Sequence, residues 1–220
     1  MKMPLVPRAV VGLMSLIVGC VSAAAAPSSV VPMEEPQPGD RWIYEIHDEI
    51  TGEKLATREV VITEVTPTDI SARFRLVGTA NNEGFTIYDR SWNVKTNQPW
   101  KYSPNDGTGI KAPLAVGKTW ASRSNEVNAG AGATWNRSGT SKVVGEESVT
   151  TRAGTFETFK IETTYSSRNV ADPSRKIEVT SVTWYAPAID HWVKRTFVSR
   201  ADQHVRTNNT IELVEYGRKK

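Results

Sequence analysis

Thr158-Phe159-Lys160-Ile161-Glu162-Thr163-Thr164-Tyr165 is the stretch on which the reading of the fold turns. Phe159, Ile161, Thr163 and Tyr165 alternate with Thr158, Lys160, Glu162 and Thr164. A strand sends successive side chains to opposite faces, so this pattern puts one face in a core and the other in water. The same alternation recurs upstream. Trp42, Tyr44 and Ile46 interleave with Arg41, Glu45 and His47, and Ile70, Ala72, Phe74 and Leu76 with Ser71, Arg73 and Arg75. No window carries the i, i+3, i+4, i+7 apolar stripe of an amphipathic helix.

The punctuation between these runs agrees. Thr51-Gly52, Asn81-Asn82-Glu83-Gly84, Asn105-Asp106-Gly107 and Ala153-Gly154 are turn residues that accept positive φ or hydrogen-bond the backbone. Strands are predicted over 41–49, 57–66, 70–78, 84–92, 118–126, 139–150, 156–166, 176–186, 191–200 and 208–216. Short strands in such close succession predict an all-β domain, a strongly curved antiparallel sheet forming a partly open β-barrel or a sandwich. Asn128–Ala133 is built from residues too small to pack and is expected to be a mobile loop. A short repeat also emerges. Gly39-Asp40-Arg41-Trp42 and Gly117-Lys118-Thr119-Trp120 each set a glycine three residues before a tryptophan at a strand start, which hints at two similar halves in one sheet.

The N-terminus reads as an export signal. Lys2 and Arg8 precede the apolar run Ala9–Val18, which is too short to span a bilayer and ends in small residues. Cys20, the one cysteine of the chain, closes Ile17-Val18-Gly19-Cys20, which resembles a bacterial lipobox. Lipidation of Cys20 is the favoured reading. Val21 after it would then, by resemblance to lipoprotein sorting rules, favour an outer-membrane anchor facing the periplasm. Cleavage within Ser22–Ala26 is the alternative and would release a soluble protein. Residues 1–20 are thus expected to be a signal, 21–39 an Ala-, Ser- and Pro-rich tether, and 40–217 a single β domain. Lys and Arg number 27 against 24 Asp and Glu, and loss of Lys2 and Arg8 with the leader leaves 25 against 24. So neutral a chain lacks the positive field that a nucleic-acid binder needs.

A series of motifs in the second half resembles a known family. In order they are Val116-Gly117-Lys118-Thr119-Trp120, then Val143-Val144-Gly145-Glu146-Glu147, then Ala153-Gly154-Thr155-Phe156-Glu157-Thr158-Phe159-Lys160-Ile161, and finally Trp184-Tyr185-Ala186-Pro187 followed by Val193-Lys194-Arg195. Their order and spacing resemble the TapB-like, DUF3108-like bacterial envelope family. The resemblance implies an exported, curved antiparallel sheet, and it brings no catalytic residues to carry over.

Candidate chemistry is sparse. His47, His191 and His204 are the only histidines. His47 and Glu49 share a strand face, but a metal site needs three or four converging ligands, so neither metal nor cofactor is expected. Asp190-His191 could supply a base if a turn brought the two together, though water-exposed turn residues are the simpler reading. Glu146 with Glu147, or Asp89 with Glu157, could serve as paired carboxylates, yet alternation separates the first two and solvated strand charges explain all four. Asn136-Arg137-Ser138 and Asn208-Asn209-Thr210 match glycosylation sequons, which mean little in a bacterial protein.

Seven tryptophans are the stronger hint. Trp92, Trp100, Tyr102, Trp184 and Trp192 are the candidate ligand-binding aromatics, against the plainer reading that they pack the ends of the sheet. The favoured function is a non-enzymatic envelope lipoprotein that binds an apolar or amphipathic ligand, such as a lipid, in an apolar cavity of the curved sheet. The first alternative is a structural or assembly partner of another envelope protein, docking through exposed loops at Asn105–Gly109 and Asn128–Ala133. The last is a hydrolase of envelope polymers acting through Asp190 and His191.

Overall fold

The computed structural model describes residues 32–77 and 83–218. The predicted signal and Cys20 lie outside them. Twelve strands follow one another: β1 Asp40–Asp48, β2 Lys54–Val65, β3 Asp69–Val77, β4 Glu83–Asp89, β5 Val94–Asn97, β6 Trp100–Ser103, β7 Thr119–Asn128, β8 Ala133–Thr151, β9 Gly154–Asn169, β10 Lys176–Ala186, β11 His191–Ala201 and β12 His204–Arg218. Each pairs antiparallel with the strand before it in the chain, and β12 returns to pair with β1. The result is a closed up-and-down barrel, so the sheet is a barrel rather than a sandwich and its ring is complete.

Two strands escaped the sequence reading. The short hairpin β5–β6 lies where residues 93–103 were read as loop, because four-residue strands around Gln98-Pro99 show too few alternations to register. Below that hairpin the wall is completed by the irregular segment 104–118. Val94 donates its N–H to the Asp106 carboxylate (2.8 Å), Asp106 donates its own to the Val94 carbonyl (2.8 Å), and Ser124 Oγ donates to the Pro104 carbonyl (2.8 Å). Gly109 lets this segment sit down on the β4–β5 turn, since a Cβ there would meet the Ser91 carbonyl oxygen at 2.1 Å. The Asn128–Ala133 loop has a local structure of its own. Its residues 129–131 form a 3-10 turn, with the Asn128 side chain accepting from the Ala131 N–H (3.2 Å) and Gly132 left-handed behind it.

The interior is graded along the barrel axis. At one end Trp42, Tyr44, Val60, Ile62, Ile70, Ala72, Tyr88, Trp92, Val193 and Leu213 form a packed apolar floor. Residues read as the end of the tether join it: Met33 is 2% exposed, and its N–H donates to the Ala188 carbonyl (2.8 Å). Toward the other end the buried positions turn polar, with Ser141, Thr163, Ser167, Ser181 and Ser199 among them. The two Gly-x-x-Trp starts have matching geometry. Gly39 and Gly117 are both left-handed (φ 94° and 90°), and each donates its N–H across the sheet, to Ile62 and Val143 (2.8 Å each). Trp42 and Trp120 both end up buried.

The outer wall carries Arg41–Glu215, Lys54–Glu45, Arg75–Glu59 and Lys194–Glu212 ion pairs. A barrel that spans a membrane needs an apolar outer band, and this charged wall is one that faces water. Besides the Arg41–Glu215 pair, the seam between first and last strands has a buried fastening. Asp40, fully buried, accepts from Arg218 Nε at 2.7 Å and Nη2 at 3.0 Å, and also from the Gln37 N–H at 2.8 Å. Removing one member strands a buried carboxylate. An Arg218→Ala change is therefore expected to cost about 3 kcal/mol, toward the low end of the usual range because Arg218 is one-third exposed. Urea unfolding of the variant beside the parent measures it.

Candidate functional site

The apolar floor is built around a histidine. His191 opens β11 and is 1% exposed, with ring centroids of Trp192 at 3.7 Å, Trp42 at 4.3 Å and Trp92 at 4.6 Å, the last stacked upon it. Neither imidazole nitrogen has a hydrogen-bond partner among the described residues. The Asp190–His191 pairing expected of a hydrolase does not form. Asp190 is left-handed (φ 43°) at the end of the 3-10 turn Pro187–Ile189, and its carboxylate accepts from the Tyr185 hydroxyl at 2.5 Å instead. The strand that follows carries His191 into the core, so the pair is not an exposed turn either. Burial raises the Asp190 carboxyl above its usual range, against the hydrogen bond that lowers it.

Trp92 reaches the same cluster from the β4–β5 turn. Its backbone is left-handed (φ 61°), an uncommon state for a bulky residue. The Asp89 carboxylate fixes that turn by accepting from the N–H groups of Ser91 (2.9 Å) and Asn93 (3.0 Å). Asp89 is thus a turn-organising residue rather than one of a catalytic pair. Tyr44 completes the cluster, its hydroxyl donating to the Trp192 carbonyl (3.1 Å).

Directly on this floor lies a partly open cavity of about 160 Å³, lined by Arg58, Tyr88, Trp92, Trp192, Arg195 and Ile110, with Thr86, Val94, Asn97, Thr108 and Gly109 around them. Its lining is both aromatic and cationic, so the apolar cavity expected from the sequence is instead amphipathic. Arg195 lies over the Trp192 ring at 4.3 Å and donates from Nε to Thr183 Oγ1 at 3.0 Å. Arg58 lies over the Phe74 ring at 4.8 Å. Burial lowers the Arg195 pKa from its usual value, and Arg58 adds to the effect. A third interior guanidinium, Arg137, has its charge met: Glu126 Oε1 at 3.1 Å, Asp106 at 3.8 Å and the Tyr165 ring at 3.4 Å.

Of the five aromatics picked from the sequence, Trp92 and Trp192 line this cavity and three do not. Tyr102 lies near Arg137, 6.0 Å from its guanidinium carbon, and Trp100 sits in the β5–β6 hairpin opposite Asn97. Trp184 points out of the barrel between Lys160 and Lys194, its indole donating to Glu147. That bond and Lys160 occupy Glu147, while Glu157 and Glu146 are exposed on the outer wall. His47 is also outside, 3.5 Å from Glu45, whose carboxyl is held at about 2 by hydrogen bonds from Lys54 and Arg152. Arg58 and Arg195 were missed, although the sequence held a signal. Arg58 shares strand parity with Ala56, Val60 and Ile62, and Arg195 with Val193 and Phe197, so each charge falls on the apolar face.

Comparison with known proteins bears on this arrangement. Residues 118–195 match the DUF3108-like family model, so the resemblance read from the strand motifs holds at the level of that family; the narrower TapB-like likeness is not part of the match. No curated protein matches the sequence significantly. Among solved structures, the barrel is similar to a "putative lipoprotein" from Parabacteroides distasonis ATCC 8503, with TM-score 0.58 and 13% identity over 86% of this chain and 100% of that one. It is also similar to a "putative exported protein with YmcC-like fold" from Bacteroides fragilis NCTC 9343, with TM-score 0.55 and 14% identity over the same shares. At such identities the likeness is one of fold.

Burial pushes the His191 pKa well below its ordinary value, with Arg195 and Arg58 acting in the same direction. The folded protein therefore holds a neutral imidazole where the unfolded chain takes up a proton below about pH 6.5. Stability falls as pH drops through that value, by up to about 1.4 kcal/mol per pH unit from this residue. In His191→Phe that component is absent. Urea midpoints at pH 7.5, 6.5 and 5.5 should converge between variant and parent, or cross, as pH falls.

Proposed function

We propose that the chain is an exported, non-enzymatic envelope protein that binds a small amphipathic ligand inside its barrel. The observation that carries this reading is the cavity between the Trp92–Trp192–His191 floor and the guanidiniums of Arg58 and Arg195. A concave, partly open space with an aromatic wall and a few placed polar groups is the usual form of a small-molecule site. Its volume takes about six heavy atoms, since a cavity of about 150 Å³ takes benzene, and a longer chain would run out through the open side. Export is supported by the leader Met1–Cys20 and by the names given to the two structures of similar fold.

The hydrolase reading loses its motive, since Asp190 and His191 make no contact with each other. Of the loops offered for docking, the first has Asp106 and Gly109 buried, while the second presents residues 129–132 to solvent as a capped turn and keeps the assembly-partner reading open to test.

Native mass spectrometry of the protein taken from the periplasm without detergent tests the ligand. A stoichiometric excess of mass that vanishes on denaturation is the expected result. A bare polypeptide mass, unchanged after incubation with envelope extract, would count against it. Lipidation of Cys20 is a separate proposal, with outer-membrane anchoring as its consequence. Cys20→Ser should abolish incorporation of labelled palmitate and release the protein into the soluble periplasmic fraction; persistent labelling would place the acyl group elsewhere.

A further inference from the structure

Arg58 and Arg195 face one cavity from β2 and β11, which only β1 and β12 separate in the ring, and neither makes an ion pair among the described residues. Arg58 Nε is buried with no hydrogen-bond partner. Arg195 spends its Nε on Thr183, and its remaining N–H groups have no acceptor among the described residues. The carboxylates nearest in the interior, Asp106 and Glu126, are both engaged by Arg137. Asp106 is further occupied by the N–H groups of Val94 and Thr108 and by the Thr108 hydroxyl. Three interior guanidiniums thus face two carboxylates, and the surplus positive charge sits at the cavity.

Two like charges beside each other in a half-buried pocket are costly. Each loses hydration, and each raises the energy of the other. Leucine or methionine at these positions would fill the space without that cost. A guanidinium is the group best suited to bind carboxylate or phosphate, through paired N–H donors in a planar fork. Resting on this ligand-binding reading of the barrel, we infer that the ligand is an anion: a carboxylate or phosphate held between Arg58 and Arg195, its short apolar part against Trp92, Trp192 and Ile110. The anion would supply the acceptors that Arg58 and Arg195 lack. The adjoining Asn97 side-chain amide offers a further hydrogen bond to its oxygens. The route in passes either through the polar half of the lumen or past segment 104–118, whose Thr108–Ile110 form one wall.

The test is calorimetry and indole fluorescence of the purified protein with four probes: hexanoate, monobutyl phosphate, inorganic phosphate and neutral hexanol. Trp92 and Trp192 report occupancy. At least one of the two organic anions is expected to bind ten- to hundredfold more tightly than hexanol, the range for hydrogen bonds to charged groups. Preference for hexanoate names a carboxylate, and preference for monobutyl phosphate a phosphate; binding of inorganic phosphate as tight as monobutyl phosphate would show that the charge alone is read. Arg58→Met and Arg195→Met should each erase the preference, so that the organic anions bind no more tightly than hexanol.

Each change removes an unpaired charge, so the unliganded variants should unfold no earlier than the parent. Should either unfold earlier, Arg58→Lys and Arg195→Lys, which keep the charge but lose the fork, replace them with the same expectation of weakened anion binding. Hexanol binding as tight as hexanoate, unaffected by either arginine, would overturn the anion and leave the amphipathic site intact. Failure of all four probes to bind would overturn both, and leave the arginines as groups solvated by internal water.

Discussion

The Asp40 carboxylate, fully buried and gripped by Arg218, lies where the first strand meets the last. That meeting converts a twelve-strand meander into a ring and leaves no open strand edge to cap. Closure also fixes the fate of every second side chain, since inward residues must share one enclosed volume. At the end near the seam they are large and apolar, and they pack into a floor that the chain seals with Met33 from outside the strands. Farther along serine, threonine and asparagine predominate, with Trp135 and Val179 among them. The arginine pair lies at the boundary between these two regimes.

The floor is rigid for reasons that can be named. His191, Trp42, Trp92 and Trp192 pack ring against ring, and Trp92 is held in an uncommon backbone state by the Asp89 carboxylate behind it. A strained residue persists only where its surroundings over-determine it, and such residues gather at ligand sites. A preformed wall lowers the ordering cost that binding must otherwise meet. The facing wall is different in kind. It is partly an irregular segment pinned through Asp106, and Gly109 is what lets it approach closely enough to shape the cavity.

Arg137 and the Arg58–Arg195 pair show how the same side chain serves two ends in one interior. Arg137 is surrounded by Glu126, Asp106 and Tyr165, and its charge is met within the protein. It braces the short β5–β6 hairpin and its continuation against β8. The other two arginines stack on aromatic rings, which solvate the flat face of a guanidinium, and apart from the bond of Arg195 Nε to Thr183 their N–H groups meet no acceptor among the described residues. That asymmetry, rather than burial alone, distinguishes a structural charge from a receptive one.

Much of the fold was legible before any coordinates. Alternation at Trp42–Ile46, Ile70–Leu76 and Phe159–Tyr165 determined the strands and their wet and dry faces, because that period is a local property of the extended chain. The glycines at 39 and 117 marked strand starts for the same reason, since a left-handed turn is decided by a few neighbouring bonds. Closure was not legible, for it depends on how Asp40 meets Arg218 across 178 residues. The β5–β6 hairpin was too short to show a period. The site was half visible: two tryptophans were found and two arginines passed over, although parity placed both arginines on the inner face. Parity says which face a side chain takes. Whether that face holds a partner for its charge is decided only when β2, β4, β5 and β11 enclose one volume, because pairing and desolvation are properties of the assembled interior and not of any strand within it.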